Sequence, residues 1–265
     1  MLGLPRPPAR LGPTAVLLVA LLPAVARASW EVWWPLEPSS PQLQQAARAA
    51  LHFFNYRAAS PSTARLLKEV LDGSSMLGEN SKTFKVEFSV ESYRTKLQLG
   101  TCSARVVFKN NKFGPTVNVT CTQLLDKKER EQEDYKVYKQ IKQQEIPPLG
   151  TKIPDKHGDV DPSLQPLWEL AMIGNSFLMW EKTSSSLYYY VQQITDIKKW
   201  ISAEDFIILH YTVLLHEFST QNIISCHMHL IWYPGKTPKI QYHCQDSGTG
   251  ESGSGNSEGS AERSL

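Results

Sequence analysis

No catalytic signature stands out in this chain of 265 residues. It has no G-x-S-x-G nucleophile elbow, no H-E-x-x-H helix and no phosphate-cradling P-loop. His216-Glu217 opens like a metalloprotease pair, but Phe218-Ser219-Thr220 follow and no second histidine arrives. Excess charge is missing too: the net charge is +2 with acids and bases interspersed, which removes the electrostatic footprint of a nucleic-acid binder. Cysteine is scarce, at four residues, and none forms the close C-x-x-C knuckle of a zinc ribbon. An enzyme, a cofactor and a nucleic-acid partner are therefore not expected.

Long apolar runs are also lacking, with one exception at the N-terminus. Arg6 and Arg10 precede the run Leu11 to Val25, and Ala26-Arg27-Ala28 follows it. The run contains Pro13 and Pro23 and falls short of the roughly 20 residues that a membrane span needs. Residues 1–28 are read as a cleaved signal peptide, giving a secreted chain. The alternative is an uncleaved signal anchor and a single-pass membrane protein. Residues 246–265 are rich in Gly, Ser and Glu without an aromatic, and are expected to form a disordered tail. A little over 200 residues remain, enough for two domains of about 100. Four cysteines behind a signal sequence indicate disulfides.

Those cysteines close two segments that read alike. CSARVVFKNNKFGPTVNVTC runs from Cys102 to Cys121, and CHMHLIWYPGKTPKIQYHC from Cys226 to Cys244. Such a repeat indicates a duplicated domain. Each half has the same order of elements. Ser40-Pro41 is a cap and first-turn proline, followed by the apolar positions Leu43, Ala47, Ala50 and Phe54 on one helical face. Extended segments are expected at about 65–71, 83–93, 96–109 and 115–124. In the second half Asp161-Pro162 opens a helix with Leu164, Leu167/Trp168, Ala171 and Leu178 as its stripe. Pro166 defers its regular part. Strands are expected at 188–197, 206–218, 223–232 and 238–244. The fold class is α+β: two subdomains, 39–125 and 161–245, each a helix wrapped by a curved antiparallel sheet. A connecting helix over 126–143 docks through Tyr135, Tyr138 and Ile141, and a linker occupies 144–160.

Pairing Cys226 directly with Cys244 puts Met228, Leu230 and Trp232 on one face with Tyr242 and Ile240. The same exercise places Ala104, Val106 and Phe108 with Val119 and Val117 behind Cys102–Cys121. Both inner faces are apolar, so both registers pass the same test. Each bridge closes about 20 residues and contributes on the order of 3 kcal/mol in the loop-entropy account. The first register turns Asn118 outward; Asn118-Val119-Thr120 is the one glycosylation acceptor sequence of the chain. The second turns His227, His229 and His243 outward. The reading adopted is a polar sheet surface with no metal; a zinc or copper site on these three imidazoles is the alternative.

A helix cradled by a curved sheet is the cystatin arrangement. The inhibitory Q-x-V-x-G hairpin of cystatins is not matched by Lys96-Leu97-Gln98-Leu99-Gly100, and Trp232-Tyr233-Pro234-Gly235 replaces a Pro-Trp loop. Two such halves resemble the latexin family. The resemblance lies in Ile153-Pro154-Asp155 with Gly158, in Asp205-Phe206-Ile207 followed by Tyr211-Thr212-Val213-Leu214-Leu215-His216, and in Gln221 with Ile223-Ile224. It covers nearly everything between signal segment and tail. The signal and the four cysteines are similar to the secreted or membrane-associated branch of the family, which includes an eggshell-matrix protein. The resemblance implies a non-enzymatic inhibitor of A/B-type metallocarboxypeptidases that plugs the active-site funnel, with His216, Glu217, Phe218 and Gln221 as the inhibitory loop. The alternative, suggested by the eggshell-matrix relative, is an extracellular matrix component with little or no inhibitory activity. In the first case Phe218 is an exposed anchor; in an ordinary connecting loop it would be core.

Overall fold

The computed structural model describes residues 32–110, 112–145, 147–148, 150–201, 205–245 and 252–256. The expected signal segment lies outside them. Among the described residues no helix is long and apolar enough to cross a membrane.

The chain builds two five-stranded antiparallel sheets, each with a helix on its inner face. The first contains β1 (Trp34–Pro35), β2 (Arg65–Leu77), β3 (Ser81–Ser92), β4 (Gln98–Lys109) and β5 (Thr116–Cys121), in the order β1-β2-β3-β4-β5. The second contains β6 (Tyr189–Ile201), β7 (Ile207–Glu217), β8 (Ile223–Trp232), β9 (Lys239–Gln245) and β10 (Ser252–Asn256), in the order β10-β9-β8-β7-β6. The expected α+β class, with a helix against an antiparallel sheet in each half, is thus the observed one. Each sheet has one strand more than the four expected. One extra strand comes from within the expected disordered tail, of which only residues 252–256 are described: β10 pairs with β9, setting Ser254 opposite His243. Its Gly/Ser sequence offers no apolar face, but an unpaired edge accepts any backbone that supplies the N–H and C=O groups.

Helix α1 (Pro41–Ala58) starts where the cap signal placed it, with Ser40 Oγ accepting from the Leu43 N–H at 3.3 Å. Leu43, Ala46, Ala47, Ala50 and Phe54 are buried beneath the first sheet. Helix α2 (Lys127–Gln143) is held by a capping box in which Asp126 accepts from the Glu129 N–H and Glu129 accepts from that of Asp126. Its buried positions are Asp134, Val137, Tyr138 and Ile141. Tyr135, expected in the docking stripe, is half exposed. The i, i+3, i+4, i+7 set runs through Asp134 and Val137 instead.

Asp161 caps a short 3-10 turn, Pro162–Leu164, and α3 (Gln165–Lys182) follows. Pro166 falls in the first turn of α3, where its missing N–H has no intrahelical partner to lose. The burial of α3 exceeds the single stripe expected: Leu167, Leu170, Ala171, Ile173, Phe177 and Leu178 are all below 5% exposed. The reason is a second neighbour. One side of α3 lies on the second sheet, and another meets α1, so Ile173 joins the first core while Tyr56 of α1 joins the second. The described residues form one compact unit.

Both disulfides form between directly opposed residues, Cys102–Cys121 across β4/β5 and Cys226–Cys244 across β8/β9. The inner faces are those read from the alternation.

Candidate functional site

The turn between β7 and β8 carries the loop singled out in the sequence. Its base is strand pairing: Tyr189 faces Glu217 and Tyr190 faces His216. Alternation sends neighbouring side chains to opposite faces. His216 lies on the outer side against the Tyr190 ring, centroids 4.7 Å apart. Glu217 points inward, 9% exposed, and its Oε2 accepts from the Tyr189 hydroxyl at 3.0 Å. These two residues build the base of the loop and do not project from it.

The tip is different. Phe218 is 51% exposed, so it is not core. Its ring stacks on Tyr188, centroids 4.7 Å apart and planes within 21°, while its N–H donates to the Tyr188 carbonyl at 3.1 Å. The Arg48 guanidinium of α1 lies over the Tyr188 ring at 5.3 Å. Partial burial pushes the Tyr188 phenol up, with Arg48 pulling it the other way. An aromatic pair with a cation above it gains on the order of 1 kcal/mol beyond its area.

Gln221 has a left-handed backbone, φ +62°, that lets the turn close. Its N–H donates to the Glu217 carbonyl at 2.9 Å, and its side-chain amide donates to the Phe218 carbonyl at 2.7 Å. The side chain braces the turn from within. The Glu217 N–H donates to the Asn222 carbonyl, and the Ser219 hydroxyl donates to the Ser186 carbonyl at 2.7 Å. The 184–188 segment is held in turn by α1, because Gln45 donates to the carbonyls of Ser184 and Leu187. A ladder of contacts therefore runs from the first helix to the loop tip: Gln45 and Arg48, then 184–188, then Phe218. Arg48 and Tyr188 escaped the sequence reading. Arg48 sits off the apolar stripe of α1 and meets Tyr188 only across the packed halves. The triplet Tyr188-Tyr189-Tyr190 was the one local signal available.

Asn118 lies exposed on β5 opposite Arg105. His227 faces His243 across β8/β9, and His229 faces Gln241. The structure adds His210, whose ring stacks on that of His229. The three imidazoles do not converge on a common point: among the described residues no group of three or more His, Cys, Asp or Glu side chains is placed to hold a metal.

The family model described as Latexin matches residues 36–250. The chain is 52% identical over 228 residues to human "Retinoic acid receptor responder protein 1", covering 83% of this chain and 77% of that protein. It is 33% identical over 257 residues to chicken "Ovocalyxin-32", covering 94% and 93%. To mouse "Latexin" it is 29% identical over 212 residues, covering 78% and 95%.

Proposed function

Because the chain belongs to the latexin family, we propose that it is a secreted, non-enzymatic inhibitor of A/B-type metallocarboxypeptidases. In this reading the turn after Glu217 enters the mouth of the enzyme's active-site funnel. The observation that carries it is Phe218, an aromatic side chain left half exposed on a turn that hydrogen bonds hold from every side. An anchor whose ring already stacks on Tyr188 has less side-chain freedom to lose on docking. The inhibitor is a binding surface and supplies no reacting group. Phe218 is the contact residue, Gln221 and Glu217 hold its backbone, and His216 flanks it. Asn118 carries a glycan on the outer face of the first sheet, and residues 1–28 are removed as the signal; retained, they would anchor the protein to a membrane.

Hydrolysis by carboxypeptidase A and by carboxypeptidase B, titrated with the purified mature chain, tests this. Nanomolar inhibition is expected, weakened at least about 10-fold by Phe218→Ala, which corresponds to roughly 1.4 kcal/mol. No inhibition by folded protein at micromolar concentration would overturn it. That outcome leaves the second reading, an extracellular matrix component, for which the similarity to Ovocalyxin-32 along nearly the whole chain is the supporting observation.

A further inference from the structure

Five of the chain's seven histidines lie on the outer face of the second sheet, and four of them, His210, His227, His229 and His243, stand together away from the loop that carries His216. Strand register lays out that face in rows. Lys198, His210, His229 and Gln241 stand side by side on β6, β7, β8 and β9. Asp196, Thr212, His227 and His243 form the next row, and Trp200, Ile208, Ile231 and Lys239 the row on the other side. A shallow depression of about 380 Å³ opens over the first two rows.

Imidazole rings dominate the middle of this face. The His210 and His229 rings stack 4.4 Å apart at 12°, and Trp200 lies edge-on to His210. The Nε2 of His229 is buried with no hydrogen-bond partner among the described residues. His227 Nδ1 lies 3.2 Å from Thr212 Oγ1. Lys198 and Lys239 are fixed cations of these rows and Asp196 their one carboxylate, already 3.6 Å from Lys198. Behind the sheet stand Tyr211 and Tyr242, both pushed up by burial, and Glu181, which bonds to Tyr242. His210 is held below the ordinary imidazole value, first by desolvation and then by His229 and Lys198. Histidine is the residue type whose charge changes in mild acid, so a face that gathers four of them around Lys198 and Lys239 gains positive charge as pH falls.

We propose that this face is a proton-gated binding site for a sulfated polysaccharide. Sulfate esters stay anionic throughout that pH range, so the protein side alone sets the switch. Donors spaced about 4.8 Å across strands and about 6.8 Å along them match an extended polyanion better than one small ion. Trp200, 60% exposed at the border, offers a flat apolar surface to a sugar ring. A metal is the rival occupant, and the stacked, non-converging imidazoles speak against it.

The test is binding of heparin to the full mature chain at about pH 5.5 and about pH 7.5, near 0.15 M salt with EDTA present. Affinity is expected to be at least about tenfold higher at the lower pH. His227→Gln/His243→Gln and His210→Gln/His229→Gln should each lower that ratio with little change at the higher pH. Circular dichroism at both pH values confirms that the variants are folded. Equal affinity at both pH values overturns the proposal, as does a pH ratio unchanged in both variants or binding that EDTA abolishes. Full release by inorganic sulfate at the same concentration of sulfate groups overturns the polysaccharide as ligand.

Discussion

At the scale of single residues, the features around the loop are set by where α1 meets the second half. Arg48 and His52 are one turn apart on α1. His52 is largely buried, and desolvation, with Arg48 adding to it, lowers its pKa to about 4 from 6.5. Between those values the unfolded chain binds more protons than the folded one, so stability is complete above about pH 6.5 and falls as pH drops towards 4. Asp134 and Glu181, raised by burial, give slopes of the opposite sign, so the informative quantity is a difference between proteins. Urea unfolding of the wild type and of His52→Gln at about pH 7 and about pH 4.5 should show the wild type losing about 2 kcal/mol more than the variant over that interval. An equal loss in the two proteins would show that His52 takes up its proton without cost to the fold.

At the scale of elements, close approach between helix and sheet depends on glycine in both halves. A Cβ on Gly174 of α3 would meet Met228 Sδ at 2.7 Å and Leu230 Cδ1 at 2.9 Å. A Cβ on Gly73 of β2 would meet the Lys85 carbonyl at 2.7 Å as well as Leu43. Each sheet thus receives its helix through a missing side chain, on the helix in one case and on the strand in the other. Gly174→Ala should gain helix propensity but lose more to overpacking, a net destabilisation of about 1–2 kcal/mol by thermal unfolding. An unchanged or raised melting temperature would mean that the Met228 thioether yields freely. This pairing was not legible in the sequence, where neither glycine carries a local mark. What was legible followed from periodicity and cysteine register: α1 from Ser40-Pro41, the inner faces of both hairpins, and the outward positions of Asn118 and His227. The second face of α3 was missed because its burial comes from α1, more than a hundred residues earlier. Strand β10 was missed because an edge can recruit a Gly/Ser segment by backbone alone.

At the scale of the whole molecule, polar links join the two halves. Arg94, in the turn between β3 and β4, donates two hydrogen bonds to Glu169 of α3, at 2.7 and 2.6 Å, and Trp168 donates to the Tyr93 hydroxyl. Asp134 of α2 accepts from Ser60 and from the Gly235 N–H, bridging the first half to the turn between β8 and β9. Glu169 is 1% exposed and Arg94 is 45% exposed. Removing the cation therefore strands a buried carboxylate, and Arg94→Ala should cost about 2–3 kcal/mol in urea unfolding. Arg94→Met/Glu169→Met should recover at least half of that loss. A double variant as unstable as the single one would show that the pair stabilises through its own attraction rather than by avoiding an unpaired charge.

The joined halves matter for function because the ladder from Gln45 and Arg48 to Phe218 crosses between them, so the loop is held by both. The claim that this loop plugs a carboxypeptidase is tested most directly by titration calorimetry of the mature chain into carboxypeptidase A. The enzyme would be used free, and with its funnel filled by a small active-site ligand. The account predicts tight binding to the free enzyme and at least about 100-fold weaker binding to the filled one. Equal affinity for the two forms would contradict it, because a partner that binds beside an occupied funnel is not its plug.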